Sequence, residues 1–414
     1  MEAEITTLAS QALQTDVHPM SLQDSMRDPG ELAQLLFDQL PVQYAQRIQM
    51  LEQLPDWHRR DEVRNVRQMY VTSFKEMRLA DPRDTAAFKK QLSNIKKRHL
   101  HTNLLVAGFR KYAQEEQLRE DQINQWLDNF FKLRVSTNML IAQYLEMIGG
   151  SKTSSLDSVE LPCSGGRDGD DLDPYQASIN PRCHPYFIAK HAAVVIGKLC
   201  KEWYGYAPEI RVMDAGAEPF PFVPRYLFYI LSELLKNSVR ATVECNAGRD
   251  GGAGEQPRYL EPVSVVVCGG EGTASIRVSD EGGGIPVDAL NHVWSYLYTT
   301  AEPIEVPYTR DAVDAPTDLR RLETGSIPAA ASAGNGWGSL AEPDHEDHSL
   351  LLRSPLAGLG CGLPLTRLYA EYLGGEVKLH TLPRFGTDVF VYLSRLEHLP
   401  SDRPLARLST LQDP

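Results

Sequence analysis

The chain has 414 residues, of which 42% are hydrophobic, and this length is enough for about two to three domains. No apolar run approaches the roughly 18 residues of a membrane helix, so the sequence predicts no membrane span. Subtracting 55 acidic from 42 basic side chains leaves a net charge of -13, which disfavours general affinity for nucleic acid or anionic lipid.

The amino-terminal part predicts helices almost throughout. Apolar residues recur at three and four spacing in four segments, at 31–54, 63–74, 88–109 and 123–148. Four helices of this length predict an antiparallel bundle over residues 1–150.

The next stretch changes in composition and marks a boundary. Residues 151–174 are rich in Gly, Ser and Asp, which predicts a flexible linker. Residues 175–400 mix helical patterns with alternating strands, and this order predicts an α/β sandwich with helices on one face of a mostly antiparallel sheet. Residues 246–257 and 323–350 are poor in core-forming side chains and are interpreted as insertions, and 401–414 as a tail.

Cysteine usage and the first residues bear on the compartment. The six cysteines are scattered, with no C-x-x-C pair and no histidine cluster, which indicates a reducing compartment and no structural zinc. The first 30 residues carry five acids and one arginine, the opposite of an organellar presequence.

One helical segment, "SELLKNSVRATVE", places its charged side chains in a single stripe. The stripe consists of Glu233, Lys236, Asn237, Arg240 and Glu244. Taken alone, these would be exposed pairs that stabilise a surface helix.

Two glycine-rich motifs favour a ligand instead. "SDEGGGIP" ends a predicted strand with Asp280 and three glycines, which permits close backbone approach. "GLGCGLPLTRLYAEYLGG" places alternate glycines before a helix, whose start offers N–H groups to phosphate. Walker-type, dinucleotide-binding and protein-kinase signatures are absent from the sequence.

The order of these motifs, followed by "FGTDVFVYL", resembles the nucleotide-binding boxes of the GHKL superfamily. Within it, "ELLKNSVRATVE", "YLYTTAEP" and "GLPLTRLYAEYLGG" resemble the mitochondrial 2-oxo-acid dehydrogenase kinases, and "LFDQLPVQYAQRIQMLEQLP" and "FFKLRVSTNML" resemble the regulatory bundle of that family. The resemblance implies an amino-terminal helical bundle (1–150), followed by a GHKL-type α/β sandwich that binds ATP (175–400).

The resemblance also implies roles for individual residues. Asp280 would accept a hydrogen bond from the adenine amino group, with Thr387 beside it, and Gly282 and Gly284 would let the base lie against the backbone. Asn237 would be a ligand of Mg²⁺. Glu233 would act as the base toward the acceptor serine, and His99 matches a histidine that neighbours this acid in the family.

The phosphate groups of ATP would be held by two sets of residues. The cationic set is Lys236 and Arg240. The loop set is Gly358, Leu359, Gly360, Cys361, Gly362 and Leu363, together with Thr299 and Thr300 at the start of the family's lid.

The activity implied is that of an ATP-dependent serine kinase that inactivates the decarboxylase subunit of a 2-oxo-acid dehydrogenase complex. The pyruvate complex ranks first and the branched-chain complex second, while a histidine autokinase or a non-transferring ATPase is a further alternative. The family also implies the mitochondrial matrix, a homodimer and binding to a lipoyl domain. Three departures bear on this: "RHLH" at 98–101 stands where the family usually carries Arg-His-Asn-Asn, Asn138 stands where it carries an arginine, and the tail lacks the family's Asp-Trp pair.

Overall fold

The computed structural model describes residues 4–8, 28–99, 103–149, 178–247, 260–270, 273–299 and 360–394. Within these ranges the chain forms a helical region followed by a mixed helix and sheet region. The predicted linker at 151–174, the insertion at 323–350, most of the insertion at 246–257 and the tail lie outside the described residues.

Five helices make up the described part of 28–149. They are α1 (Pro29–Glu52), α2 (Asp61–Arg78), α3 (Thr85–Arg98), α4 (Asn103–Glu115) and α5 (Glu120–Gly149). Asp28 caps α1 by accepting hydrogen bonds from the Gly30 and Glu31 amides, and Pro29 occupies the first turn, where no amide hydrogen is needed. α1 packs against α2 and α5, so the apolar stripes of these helices meet in one core.

The third predicted helix differs from the structure. The periodic stretch 88–109 predicts one helix, but it contains the end of α3 and the beginning of α4. α3 ends at Arg98, and the next residue, His99, is buried against Tyr44 and Tyr70. No glycine or proline marks this break, so hydrophobic spacing alone could not reveal it.

The second region is built around a five-stranded sheet. Its strands are β2 (Ile210–Ala215), β4 (Val263–Gly270), β5 (Thr273–Asp280), β6 (Glu376–Leu382) and β7 (Gly386–Ser394), in the order β2-β4-β5-β7-β6. β2 runs parallel to β4, and the remaining pairs are antiparallel. A separate ribbon pairs β1 (Asn180–Cys183) with β3 (Phe220–Phe222). Neither this ribbon nor β2 was predicted from the sequence.

Three helices pack on one face of the sheet: α6 (Pro185–Tyr204), α7 (Pro224–Ala247) and α8 (Gly362–Tyr372). Alternate residues of β4, β5 and β7 are buried beneath them, as the period of two in these strands requires. The mostly antiparallel sheet with helices on one face agrees with the predicted fold. No helix among the described residues has the length and apolar character needed to cross a lipid bilayer.

Candidate active site

The acidic end of the α7 stripe is buried. Glu233 retains only 5% of its exposure, and its Oε1 lies 2.5 Å from the Lys236 ammonium one turn later. Lys236 is itself mostly covered. This pair is therefore not the exposed helix pair that the stripe alone suggests, because an acid that only decorates a surface helix would stay in water.

Glu233 lies against the beginning of α8. A Cβ atom added to Gly362 would come within 2.5 Å of Glu233 Oε2, so a side chain at this point would require the Glu233 carboxylate to move. The N-cap of α8 is Cys361, which makes no side-chain capping hydrogen bond. The carboxylate thus faces a helix start, where amide groups and the positive end of the helix dipole favour negative charge.

The rest of the stripe is more open to solvent. Asn237 is exposed one turn beyond Glu233. Arg240 Nε donates to Glu244 Oε1 at 2.8 Å and is half-buried. The stripe therefore runs from a buried acid to solvated amide and guanidinium groups.

Asp280 ends β5 and is also buried, at 7% exposure. Its Oδ1 accepts a hydrogen bond from the Gly282 amide at 3.0 Å. Burial raises the pKa of this carboxyl above its ordinary value, while hydrogen bonds from the Ser238 side chain and from the Gly282 and Thr387 backbone act in the opposite direction. Two of these partners come from other elements, α7 and β7.

The glycines after Asp280 are required by contacts within the protein. A Cβ at Gly282 would meet Ala241 Cβ of α7 at 2.6 Å, and one at Gly284 would meet the Leu382 carbonyl oxygen at 2.3 Å. Gly284 also has a φ of +68°, which L-residues rarely adopt. Close packing of α7 and β6 therefore explains these two glycines, and approach by an adenine base stays a prediction.

Thr387 lies opposite Asp280 in the β5–β7 ladder. Its hydroxyl is 3.2 Å from that of Thr381, whose oxygen also accepts the Ile285 amide at 2.8 Å. The preceding Gly386 leaves no room for a side chain, because a Cβ there would lie 1.9 Å from the Asp280 carbonyl oxygen. Asp280, Thr387 and Thr381 thus form one polar cluster at the strand ends.

The described part of the glycine loop begins at Gly360. The Leu297 amide donates to the Gly360 carbonyl oxygen at 2.9 Å, and Gly360 has a φ of +70°. Leu363 is half-buried in the first turn of α8, and Thr299 is the last described residue of its own segment. Thr300, Gly358 and Leu359 lie outside the described residues.

His99 lies in the core of the helical bundle. Its Nε2 is 2.9 Å from Ser73 Oγ, and its ring packs against Tyr44 and Tyr70. Burial and three nearby arginines hold the pKa of this imidazole well below its ordinary value, so the ring is neutral at physiological pH. These contacts are all to bundle residues, and a role for His99 beside Glu233 stays a prediction.

Sequence reasoning missed several polar residues at the site. Ser238 and Thr381 support the Asp280 cluster, and Arg110 Nη2 donates to the Leu297 carbonyl oxygen at 3.2 Å. Ser238 follows Asn237 directly, so its place beside the stripe could have been noticed. Arg110 could not, because 187 positions separate it from Leu297.

The chain is similar to known proteins. Residues 19–167 match the family model described as mitochondrial branched-chain alpha-ketoacid dehydrogenase kinase. The mitochondrial [pyruvate dehydrogenase (acetyl-transferring)] kinase of Arabidopsis thaliana is 29% identical over 374 residues, which cover 88% of this chain and 84% of the relative. Isozyme 3 of the Mus musculus enzyme is 29% identical over 375 residues, covering 86% of this chain and 75% of the relative. The Homo sapiens isozyme 3 is 29% identical over 376 residues, with 86% and 76% covered.

Proposed function

We propose that the chain is a mitochondrial protein kinase that transfers the γ-phosphoryl group of ATP to a serine of a dehydrogenase decarboxylase subunit. The proposal rests on its membership of the mitochondrial 2-oxo-acid dehydrogenase kinase family. The observation that carries the proposal is the burial of Glu233 beside Lys236 and against the first residue of α8. A base held at a helix start that can bind phosphate is the arrangement that phosphoryl transfer to a hydroxyl group requires.

The Asp280 cluster is proposed as the adenine end of the site. A buried carboxylate that is held by amide hydrogen bonds keeps a lone pair for an exocyclic amino group. Thr387 and the backbone of Gly282 and Gly284 would complete the contact with the base. Because a competing base without the amino group would leave Asp280 unpaired, the cluster would also give specificity for adenine.

The α7 stripe and the start of α8 are proposed as the phosphate end. Lys236 and Arg240 would neutralise charge on the phosphates, and the amides of Gly360, Cys361, Gly362 and Leu363 would wrap them. Asn237 offers Mg²⁺ a neutral oxygen from its exposed position, and the remaining ligands of the ion would be phosphate oxygens and water. Gly358, Leu359, Thr299 and Thr300 are assigned to the same phosphate set by resemblance.

Glu233 is proposed to accept the proton of the serine hydroxyl or to orient that hydroxyl in line with the phosphorus. In the structure its carboxylate is paired with Lys236. A phosphate group that attracts Lys236 would weaken this pairing and leave the carboxylate available to the incoming hydroxyl. We further propose residues 1–150 as the regulatory domain of the protein and residues 175–400 as its catalytic domain.

Pyruvate dehydrogenase is the first proposed substrate. The relatives in Arabidopsis thaliana, Mus musculus and Homo sapiens are all named for that enzyme. The branched-chain complex is the second candidate, because the family model that matches residues 19–167 is described by that substrate. A histidine autokinase is less consistent with the structure, since His99 is enclosed in the bundle core.

A homodimer is proposed from the face of the sheet that none of the described helices covers. Phe390 and Tyr392 stack there with ring centroids 6.3 Å apart, and Tyr392 is 40% exposed. Arg277 and Lys378 lie over these rings at 5.9 and 5.5 Å. An aromatic surface bordered by cations is the kind of patch that a second copy would cover. Binding to a lipoyl domain of the same complex is proposed from the family alone.

The test is incubation of the chain with γ-labelled ATP and, separately, the purified decarboxylase components of the pyruvate and branched-chain complexes. We expect label on a serine of the pyruvate enzyme, with roughly 10² to 10⁴-fold slower labelling when Glu233→Gln protein is used. Label on the branched-chain enzyme alone would select the second candidate. Label on a histidine of the chain itself, or release of free phosphate only, would overturn the proposal.

A further inference from the structure

One face of α5 contacts a turn that is hydrogen-bonded, through Leu297, to Gly360 of the glycine loop. Glu120, Asn124 and Asp128 follow one another at intervals of four residues, so their side chains share a face. All three make hydrogen bonds to the turn formed by residues 292–297. We call these three residues the α5 clasp.

Each member of the α5 clasp holds a different part of the turn. Asn124 Oδ1 accepts the Tyr296 amide at 2.8 Å, and its Nδ2 donates to Ser295 Oγ at 3.1 Å. Asp128 Oδ1 accepts the Tyr296 hydroxyl at 2.8 Å. Glu120 pairs with His292 at 2.6 Å and accepts the Ser295 hydroxyl. Backbone and side-chain groups of the turn are therefore fixed together.

The residue that follows Tyr296 has an unusual backbone conformation. Leu297 has a φ of +68°, a left-handed conformation that is costly for a branched, bulky side chain. Its carbonyl oxygen accepts Arg110 Nη2 of α4, and its amide donates to the Gly360 carbonyl oxygen. Such a conformation persists only where neighbouring contacts enforce it, and here the contacts come from α4, the α5 clasp and Gly360.

The hydrogen bond between Leu297 and Gly360 lies two residues before the glycine that touches the proposed base. Gly360 is followed by the buried Cys361 and then by Gly362, which touches Glu233. A backbone hydrogen bond from Leu297 and the charge of Arg110 act to lower the pKa of the Cys361 thiol, although burial raises it to about 12. The position of Leu297 is thereby linked, through Gly360 and Cys361, to the first turn of α8.

We propose that the α5 clasp and Arg110 are positioning residues for phosphoryl transfer: by holding Leu297 in its left-handed conformation, they set the start of α8 against Glu233. The inference rests on the proposed function and adds to it a route by which the helical region controls the catalytic region. A change in α5 would alter binding of the phosphates and leave recognition of adenine intact, because the Asp280 cluster makes its contacts with α7 and β7.

The first test compares Asn124→Ala with Asp121→Ala. Asp121 lies on the same helix, is largely exposed and pairs only loosely with Arg119, so it controls for a loss of polarity on α5. Affinities for AMP and for Mg-ATP are measured by calorimetry on the full chain. We expect Asn124→Ala to weaken Mg-ATP binding by about tenfold, or about 1.4 kcal/mol, and AMP binding by less than about twofold. Asp121→Ala should match the original protein.

The second test uses the conformation of Leu297 itself. Glycine adopts a positive φ without cost, whereas alanine does not. In the Asn124→Ala background, Leu297→Gly should therefore restore part of the preference for Mg-ATP over AMP. Leu297→Ala removes almost as much of the side chain but keeps the free-energy cost of the positive φ, so it should restore none of the preference for Mg-ATP. If Asn124 merely stabilised the fold, Leu297→Gly and Leu297→Ala would give the same preference for Mg-ATP over AMP.

Arg110→Gln provides a second variant in case Asn124→Ala does not fold, with Lys111→Gln as its exposed control. We expect Arg110→Gln to lower Mg-ATP affinity selectively, as Asn124→Ala does. Equal losses for AMP and Mg-ATP, or equal behaviour of Leu297→Gly and Leu297→Ala, would overturn the inference. If the original protein binds no Mg-ATP at all, the proposed function fails instead. If the original protein binds Mg-ATP and both Asn124→Ala and Arg110→Gln keep its preference for Mg-ATP over AMP, only the positioning inference fails.

Discussion

At the scale of single residues, burial separates Glu233 and Glu244, which lie in the same stripe. Glu233 is enclosed between Lys236 and α8, whereas Glu244 is 54% exposed and pairs with Arg240. An exposed ion pair on a helix contributes roughly 0.3 to 0.5 kcal/mol to the free energy of unfolding, so stability gives little reason for the presence of Glu244. An enclosed acid costs free energy to desolvate, which favours a chemical role for Glu233.

Glu233→Gln should therefore lower phosphoryl transfer to serine by roughly 10² to 10⁴-fold, the usual effect of losing a positioned base. Glutamine keeps the size and a hydrogen-bonding oxygen, so Mg-ATP affinity should change by less than about threefold. Transfer is measured with labelled ATP under single-turnover conditions. Glu244→Gln is the matched control and should leave the rate unchanged. Transfer at nearly the original rate by Glu233→Gln would remove Glu233 from the role of base.

Asp280→Ala should abolish detectable nucleotide binding, because the adenine amino group would be buried without an acceptor. Calorimetric titration with ATP measures the loss. Asp288→Ala, at an exposed position of the following turn, should bind ATP normally. Unchanged ATP affinity in Asp280→Ala would contradict the adenine assignment.

The raised pKa of Asp280 has a consequence for stability in the absence of nucleotide. The folded protein holds this proton more tightly than the unfolded chain, so the resulting stabilisation is present below the unfolded pKa and is lost as pH rises through the folded pKa. Asp280→Asn removes the titration. The melting temperature of the original protein minus that of Asp280→Asn should therefore fall as the pH rises above about 4, the ordinary pKa of an aspartate in an unfolded chain. A difference that rises over this range would contradict the direction of the shift.

At the scale of elements, α7 connects the two ends of the proposed site. Its residue Glu233 lies against α8, while Ser238 and Ala241, further along the helix, contact Asp280 and Gly282. A single rigid helix therefore fixes the distance between the proposed phosphate and adenine ends. The turn after β5 must then approach both α7 and β6 closely, which is possible only where side chains are absent.

Gly284→Ala should destabilise the fold by at least about 1 to 3 kcal/mol. The alanine would adopt a positive φ and its Cβ would collide with the Leu382 carbonyl oxygen. Urea unfolding of the nucleotide-free protein measures the change. Gly270→Ala is the control, since a Cβ there meets nothing within 4 Å, and it should stay within about 0.5 kcal/mol of the original protein. Equal stability of both variants would show that the turn can move away.

At the scale of the whole molecule, the two regions meet along α5. Its clasp residues bind the turn at 292–297, and Phe131 stacks on the Tyr296 ring with centroids 5.8 Å apart. α5 also packs against α8. The helical region thus contacts the proposed catalytic region at the turn formed by residues 292–297, which is hydrogen-bonded to Gly360 of the glycine loop. A regulatory effect would be transmitted at this contact.

Tyr392→Glu should convert the proposed dimer to a monomer, because it places a charge in the aromatic face of the sheet. Analytical ultracentrifugation measures the mass in solution. Leu79→Glu, at an 87% exposed apolar position of the helical region, should leave the dimer intact. A dimer that persists in Tyr392→Glu would exclude this face as the interface, and a monomeric original protein would exclude the dimer.

Local patterns in the sequence predicted most elements of the fold. Four of the five strands of the sheet (β4, β5, β6 and β7) were found by alternation and α7 by its apolar stripe, because these periods follow directly from backbone geometry. The end of α3 at Arg98 was missed, since hydrophobic spacing does not record that the next residue, His99, is buried against residues distant in sequence. β2 was missed as well, because much of this edge strand is exposed and shows little hydrophobic contrast.

The sequence by itself predicted the members of the proposed site, namely Glu233, Asn237, Asp280 and the glycine loop, from their motifs and from the order of these motifs along the chain. The tertiary structure alone decided which of these residues are buried and what they touch. Only folding brings Glu233 against Gly362, 129 positions later in the chain, and joins Arg110 to Leu297. The physical reason is that side-chain periodicity records the local backbone, whereas burial, pKa and backbone strain are set by neighbours that the chain reaches only through packing.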